Sequence, residues 1–448
     1  MCVIVHVKET TRCAGSGASG GAAPVCLNHG HLSHRVSSTL LLVIVAASAY
    51  LAAHVVFGWL GRKYLVVSGA EYLVLGIVLG PHVTRVLTPE VVNSFAPITT
   101  LALGWMGAAV GVRMYLPDLV KVPGITFRLA LVESALTFLL VAGTETVVLA
   151  WLYEISFFQA ALPAVALGGI ATASSSAGVE LVAKRLNERG VEVTQLGVSV
   201  LVNAVVAVVS FGLLASIWHR PVMVNDRPLT ATEWMVITMG MGVIGGVLFH
   251  LFVGDERDSD RIFVSLAGGV ILVSGAAAFA GLSPLLAALV FGAILVNTSR
   301  NRAELAATIA HVERPLYFVL LVFAGAAWQP STSAWVLPVI LFLAIRALGK
   351  VGGARLVTRM NGMLPVLGPD WGRGLVGQGG LALAIALNYV YQDGGTLPYF
   401  VFTAAISSVL LTDLMSARLV QSVLAPLIAR RDALLHPFDG PPAPNGGA

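Results

Sequence analysis

Charged residues are scarce in this chain, and their scarcity excludes an ordinary soluble domain. Of the 448 residues, 11% are charged and 57% are hydrophobic, whereas a soluble domain carries about 25% charged residues. The net charge of +4 comes from basic residues gathered on one side of the apolar segments, so it does not indicate a nucleic-acid partner. This composition predicts an all-α polytopic protein embedded in a lipid bilayer.

Cysteines and catalytic motifs are equally scarce. The three cysteines, Cys2, Cys13 and Cys26, precede the first long apolar run, so none can link membrane segments. The apolar segments contain no HExxH motif, no Ser-His-Asp order and no paired aspartates, which argues against a membrane-embedded enzyme. We expect a transporter with no cofactor and no metal other than a transported cation. Residues 1–37 lack the apolar core of a signal peptide and are predicted to be a disordered tail, unless the start is assigned too early.

Apolar runs long enough to cross the hydrocarbon core divide the remainder into about thirteen transmembrane helices. They cover residues 38–60, 64–80, 91–113, 124–153, 158–185, 193–218, 233–254, 260–280, 283–299, 308–328, 333–358, 372–392 and 397–424. Lys and Arg collect in the loops of one side, which predicts that this side and the C-terminus are cytoplasmic and the N-terminus is outside. Residues 426–448 are predicted to be a cytoplasmic tail, and the membrane is expected to be the inner (plasma) membrane.

Two of these spans are interrupted by small and polar residues. The breaks fall at residues 172–176, TASSS, and at residues 377–380, GQGG. The interrupted fifth and twelfth spans are seven apart and therefore run in opposite directions, which predicts inverted six-helix repeats. The repeats would cover residues 38–218 and 260–424 around a linker helix at 233–254. Freed backbone is tolerated at membrane depth only where it lines a cavity, so two crossing broken helices are expected to form a solute site.

Ionisable side chains inside membrane spans are costly and are therefore functional candidates. Lys350 lies deep in the eleventh span and is either a proton carrier or half of a structural ion pair. Glu180 follows the first break by four residues. It is expected near the first turn of the second half-helix, as an ion ligand, a proton acceptor or a cap. Glu71 and Glu133 are predicted to be buried partners of basic groups, and Arg346, which stays protonated, is a structural charge.

Oxygen-bearing side chains at the breaks suit an alkali cation. Thr172, Ser174 and Ser175 supply hydroxyl oxygens at the first break, and hard cations prefer oxygen ligands. The same hydroxyls can instead satisfy freed backbone groups, and both roles can coexist. Asn203 offers an amide oxygen in the sixth span, and Gln378 lies at the second break.

Several motifs in order resemble the monovalent cation/proton antiporter superfamily, in its bacterial sodium/proton and potassium/proton branch. They are GAEYLVLGIVLGP, IATASSSAGVELVAKRLNERG, GLSPLLAALVFGAILVNTS, LGKVGG and LVGQGGLALAIAL, and the resemblance covers about residues 38–425. It implies a homodimer in which a core, with both broken spans, the sixth span and Lys350, slides against a scaffold. It also implies exchange of protons for Na⁺ or K⁺ on a buried aspartate of the sixth span.

The chain departs from this pattern at the residue that matters most for exchange. Asn203 is kept, but Ala204 stands where the resemblance places the aspartate, and residues 193–218 contain no carboxylate. We hypothesise that Glu180 takes over the exchangeable role. Two alternatives stay open. One is transport of another solute, either a neutral molecule or an anion drawn by an uncompensated Lys350. The other is a non-transporting sensor or subunit that keeps the fold.

Overall fold

The computed structural model describes most of the predicted membrane region. The described residues are 51, 55, 70–81, 83–188, 190–219, 223–224, 227–253, 258–329, 336–360, 368, 370–392 and 397–435. The predicted tail at 1–37 lies outside this set, as do most of the predicted first span at 38–60 and residues 436–448.

Helices make up nearly all of the described chain. In order they are α1 (Ala70–Leu79), α2 (Pro89–Ser94), α3 (Ala96–Val112), α4 (Leu116–Leu119), α5 (Gly124–Leu152), α6 (Phe157–Thr172), α7 (Ser176–Leu186), α8 (Val191–Ile217), α9 (Ala231–Val253), α10 (Ser259–Phe279), α11 (Pro284–Thr298), α12 (Arg302–Ala327), α13 (Val336–Met360), α14 (Gly379–Tyr391) and α15 (Pro398–Leu435). A 3-10 helix, Trp371–Leu375, precedes α14, and a two-stranded antiparallel ribbon, β1 (Met223–Val224) with β2 (Arg227–Pro228), precedes α9. Each predicted span from the second to the thirteenth corresponds to one of these helices or to a broken pair, and α15 continues past the predicted end at 424.

Length and composition suit these helices to a bilayer. Eight segments of the described chain are long and apolar enough to cross a membrane, counting α6 and α7 as one, and α3, α11 and α14 are shorter apolar helices. Large apolar side chains point outward on α9, where Leu251 is 71% exposed and Phe252 is 82% exposed. Contiguous apolar surface of this kind is unfavourable in water and favourable against lipid. The chain is a multi-pass membrane protein.

Both interrupted spans are broken at the predicted places. Between α6 and α7, Ala173 leaves the helical region with φ −55° and ψ 133°, and the Ser175 hydroxyl caps α7 by accepting a hydrogen bond from the Ala177 N–H. Before α14, Gly379 has φ +66°. Glycine adopts this left-handed conformation readily, and a Cβ at position 379 would lie 2.9 Å from the Ser175 Cβ. The second break therefore needs glycine both for its backbone angle and for its contact with the first.

Helix packing outside the breaks pairs helices of the two predicted repeats. The third span packs on the ninth, as α3 on α11, and the tenth packs on the second, as α12 on α1. In both pairs a glycine of each helix faces the backbone of the other: Gly111 faces Leu289 and Gly292 faces Ala108, while Gly76 faces Val322 and Gly325 faces Leu73. Small residues allow this close approach of membrane helices. Gly76 on α1 and Gly111 on α3 are thus used for packing inside one chain.

Replacing Gly111 by alanine tests this close packing. The new Cβ would overlap the Leu289 carbonyl oxygen, and overpacking typically costs about 1–3 kcal/mol. We expect Gly111→Ala to lower the thermal unfolding midpoint of the detergent-solubilised protein. Gly143→Ala is the matched control, because nothing in the described chain lies within 4 Å of a Cβ at that helical position. Equal midpoints for the two variants would contradict the packing argument.

Candidate ion site at the crossing of the broken helices

The two breaks are joined by hydrogen bonds between their backbones and side chains. The Ser175 N–H donates to the Gly377 carbonyl oxygen at 2.8 Å, and the Ser174 hydroxyl donates to the Leu375 carbonyl oxygen at 2.8 Å. From the second break, the Gln378 amide nitrogen donates to the Ile170 carbonyl oxygen at 2.6 Å, while its amide oxygen accepts from the Ser408 hydroxyl. Ser174 and Gln378 therefore bond backbone groups across the crossing, one from each broken span.

Lys350 sits in a closed ion pair beside the first break. Its ammonium lies 3.3 Å from a carboxylate oxygen of Glu133, and both side chains are 0% exposed. The ammonium also donates to the Thr172 carbonyl oxygen at 2.8 Å, where the C-terminus of α6 presents unpaired carbonyls and favours a cation. The Thr172 hydroxyl bonds back to Gly169 of its own helix. The pair thus joins α5, α13 and the end of α6.

Arg346 supports the same helix end. Its guanidinium donates to the Ala173 carbonyl oxygen at 3.2 Å, and the side chain is 1% exposed. Two basic side chains of α13 therefore donate to the two successive carbonyl groups that the break leaves without helical partners.

Asn203 completes the hydrogen bonding of Glu133. The Asn203 amide nitrogen donates to a Glu133 carboxylate oxygen at 3.1 Å and to the Ser174 hydroxyl at 3.1 Å. Its amide oxygen accepts from the Ser134 hydroxyl at 2.5 Å, and the other Glu133 oxygen accepts from the Thr137 hydroxyl at 2.9 Å. Both polar atoms of the Asn203 side chain thus have protein partners, so its amide is a link between helices.

Glu180 lies at the edge of the site and outside the first turn of its helix. The sequence placed it near the first turn of α7, but α7 begins at Ser176, so Glu180 is one turn further along. Its side chain is 55% exposed and 3.8 Å from Arg113. Arg113 also pairs with Glu313 at 3.2 Å and donates to the Ser176 hydroxyl at 2.6 Å. The ion pair of Glu180 is therefore made at the mouth of the site, away from the Lys350 pair.

Sequence reasoning overlooked Asp413. This residue lies in α15, well inside the predicted thirteenth span, and its carboxylate accepts a hydrogen bond from the Gly379 N–H at 3.2 Å. Its side chain is partly exposed. Asp413 and Tyr317 line the same cavity, and Glu71, on the first turn of α1, is 5% exposed. The cost of burying a charge, which selected Lys350, was the signal that could have found Asp413.

A cavity of about 480 Å³ reaches the crossing from one end of the helices. Its inner wall includes Ser174, Ser175, Ala204, Gln378 and Asp413, and its mouth includes Arg113, Glu180, Lys184, Glu313 and Arg314. Lys184, Arg314 and the other basic residues identify this as the end that carries the Lys and Arg excess. Among the described residues, no group of three His, Cys, Asp or Glu side chains is placed to hold a metal ion.

A second cavity, of about 870 Å³, reaches inward from the opposite end. On α8, Ala204 lines the first cavity and Phe211 lines the second. On α14, Leu381 lines the first and Asn388 lines the second. On each helix this step corresponds to about 10 Å along the axis. A thin layer of buried side chains, including Ala207 and Val208, therefore separates the two openings.

Two buried glutamates of α5 provide a test of the ion pair. Glu133→Met would leave the Lys350 ammonium without its carboxylate, a loss that costs about 3–5 kcal/mol in buried pairs. Glu145 is also 0% exposed, but neither of its carboxylate oxygens has a partner in the described part of the chain. Removing an unsatisfied buried polar group recovers about 1–3 kcal/mol. We expect the unfolding midpoint to fall for Glu133→Met and to rise for Glu145→Met; a fall in both would mean that Glu145 contributes an interaction of its own.

Comparison with known proteins gives a fold-level relationship. No family model and no curated protein matches the chain. The structure of the sodium proton antiporter MjNhaP1 from Methanocaldococcus jannaschii at pH 8 matches with a TM-score of 0.62 and 14% identity, over 88% of this chain and 99% of that one. An electron-microscopy map of the same antiporter gives a TM-score of 0.59 and 15% identity, over 90% and 98% of the two chains. The predicted architecture is confirmed: the chain has the fold of this sodium proton antiporter.

Proposed function

We propose that the protein is a secondary antiporter that exchanges protons for a monovalent cation, Na⁺ or K⁺, by alternating access. The observation that carries this proposal is the pair of cavities, which approach the crossing of the broken helices from opposite ends and are separated by about 10 Å of helix. A site placed in this way needs only a small rearrangement to change the side to which it opens. Similarity in fold to a sodium proton antiporter supports the same function.

The charges around the crossing favour a cation over an anion. Transport of an anion would require an unpaired positive charge at Lys350. The Lys350 ammonium is instead paired with the Glu133 carboxylate at 3.3 Å. Arg346 lies against the Ala173 carbonyl, while the cavity wall presents the Asp413 carboxylate and hydroxyl oxygens. Oxygen ligands of this kind suit a hard cation.

The setting of the protein is part of the same proposal. The Lys- and Arg-rich end, where the smaller cavity opens, would face the cytoplasm, with the N-terminus outside and the C-terminus inside the plasma membrane. The repeats at 38–218 and 260–424 would be linked by α9, and two copies of the chain would form a homodimer, as the family resemblance implies.

Ion exchange is tested in everted vesicles that hold an acid interior, with a pH-sensitive dye reporting the gradient. We expect Na⁺, K⁺ or Li⁺ added outside to dissipate the gradient, because a cation that binds from outside displaces a proton to that side and is then carried inward. Sodium gluconate and choline chloride separate cation from anion effects, and vesicles without the protein are the blank. A response to choline chloride alone would favour an anion carrier, and no response to any salt would contradict transport.

Alternating access is tested by labelling the two cavities separately. Leu201→Cys lies in the first cavity and Ala215→Cys in the second, in a chain whose three native cysteines are replaced by serine. We expect a membrane-impermeant thiol reagent to reach each position from a different side. Shifting pH or adding the transported cation should change the two labelling rates in opposite directions. Rates that change together, or labelling of both positions from one side, would contradict the mechanism.

A further inference from the structure

We propose that Asp413 is the carboxylate that binds the proton and the cation in turn; this inference rests on the proposed antiport. Asp413 lies in the middle of α15 and on the inner wall of the smaller cavity. Its side chain keeps some exposure, and the space that it reaches is that cavity. A carboxylate at this depth that can still be reached from one side is suited to exchange.

The groups next to Asp413 in the described chain stabilise its negative charge by a hydrogen bond, without an ion pair to a basic side chain. One carboxylate oxygen accepts from the Gly379 N–H, at the start of α14, where the helix dipole stabilises a negative charge. No lysine or arginine of the described chain forms an ion pair with Asp413, and the charge of Arg346 acts on it from a longer distance. The carboxylate is therefore held in place and remains able to bind a proton or a small cation.

Unpartnered hydroxyl groups lie next to Asp413 on the same helix. Ser416, one turn further along α15, is 1% exposed, and Thr412 is 7% exposed; neither hydroxyl oxygen has a hydrogen-bond partner among the residues that the structure describes. The Ser416 hydroxyl lies against Gly377 at the second break and Gly178 of α7. Buried polar groups are normally satisfied. The free Ser416 hydroxyl, three residues from Asp413 and so on the same face of α15, therefore points to a ligand that is bound through oxygen atoms. An alkali cation fits that description.

The other carboxylates around the crossing are less suited to exchange. Both oxygens of Glu133 are occupied by Lys350, Thr137 and Asn203. Glu180 is half exposed at the mouth and paired with Arg113, so solvent weakens its attraction for a cation. Asp413 shares the cavity wall with Tyr317, and the charge of Arg346 is in electrostatic range of Asp413. Of these groups of the described chain, Asp413 alone combines depth, access to the cavity and an unpartnered hydroxyl one turn away on its own helix.

The exchange step on Asp413 is a simple substitution. The carboxylic acid loses its proton to the open cavity, the carboxylate binds one cation, and the same site releases that cation on the other side before it takes up another proton. Proton and cation carry equal charge, so one-for-one exchange on one carboxylate is electroneutral. A membrane potential imposed with a choline thiocyanate gradient, which supplies no candidate cation, should leave the Na⁺-driven exchange rate unchanged. Strong dependence on potential would mean that a second titrating group takes part.

Proton release measures this exchange without a membrane. Detergent-solubilised protein in weakly buffered solution receives NaCl, KCl or LiCl, with choline chloride as the blank. We expect the wild-type chain to release protons with the cation that it binds, and Asp413→Asn to release none. Asp118→Asn, which removes an exposed carboxylate outside both cavities, is the matched control and should release protons as the wild type does. Glu180→Gln tests the competing assignment at the mouth of the cavity.

Two further measurements distinguish loss of the carboxylate in Asp413→Asn from loss of the folded structure. The side-chain amide oxygen introduced by Asp413→Asn can still accept from the Gly379 N–H, so the unfolding midpoint of this variant should stay close to that of the wild type. Ala204 lines the same cavity from α8, and Ala204→Asp in the Asp413→Asn background should restore cation-dependent proton release, whereas Ala204→Asn should not. A gain in the aspartate double variant alone would show that a carboxylate in this cavity is what the chain needs.

The outcomes separate this inference from the proposed antiport. Proton release that depends on Asp413, without exchange in vesicles, would support the cation site and contradict transport. Unchanged proton release in Asp413→Asn would overturn the role of Asp413 whether or not the vesicles exchange ions. Loss of release in Glu180→Gln with full release in Asp413→Asn would place the exchangeable carboxylate at Glu180 instead. Absence of cation-dependent release in the wild type would also overturn the inference.

Discussion

The structure depends on how backbone polar groups are satisfied where two helices stop inside the membrane. Each break frees N–H and carbonyl groups in a region where lipid offers no hydrogen bonds. These groups are satisfied by hydrogen bonds across the crossing, such as that from Ser175 to Gly377. The buried side chains of Lys350 and Arg346 also donate to the carbonyl oxygens of Thr172 and Ala173. Buried basic side chains need a negative counter-charge, which explains why Glu133 and its hydrogen-bonding partners lie at the same depth.

Two kinds of helix contact therefore coexist in one fold. Away from the breaks, α3 with α11 and α1 with α12 pack closely through glycine and backbone. Around the breaks, contacts are polar and depend on matched donors and acceptors. Apolar packing tolerates small displacements poorly, because it loses contacts on all sides. The hydrogen-bonded crossing, in contrast, can keep its internal bonds if it moves as one body, which is the property that alternating access requires.

The sequence predicted the helices and the breaks well, and the partners of the site residues poorly. The length of each membrane helix can be read from its apolar run. The TASSS and GQGG segments are too polar or too rich in glycine to continue a membrane helix, so the breaks are also visible in the local sequence. Lys350 could be identified because a charged side chain at that depth in a membrane span is energetically costly. Its pairing with Glu133 joins residues far apart in the chain, and no local pattern encodes such a contact. The exposure of Glu180 depends on how the short α7 is turned against its neighbours, and that rotation is set by packing with α15.

The thin layer between the two cavities has an electrical consequence. If electrolyte fills both openings, the transmembrane voltage falls mainly across the stretch from Ala204 to Phe211, which is about 10 Å long, and not across the full hydrocarbon thickness of about 30 Å. The local field there would be about three times that of an undisturbed bilayer. Uncharged side chains occupy this stretch of α8, so the region of steepest potential contains no fixed charge on that helix.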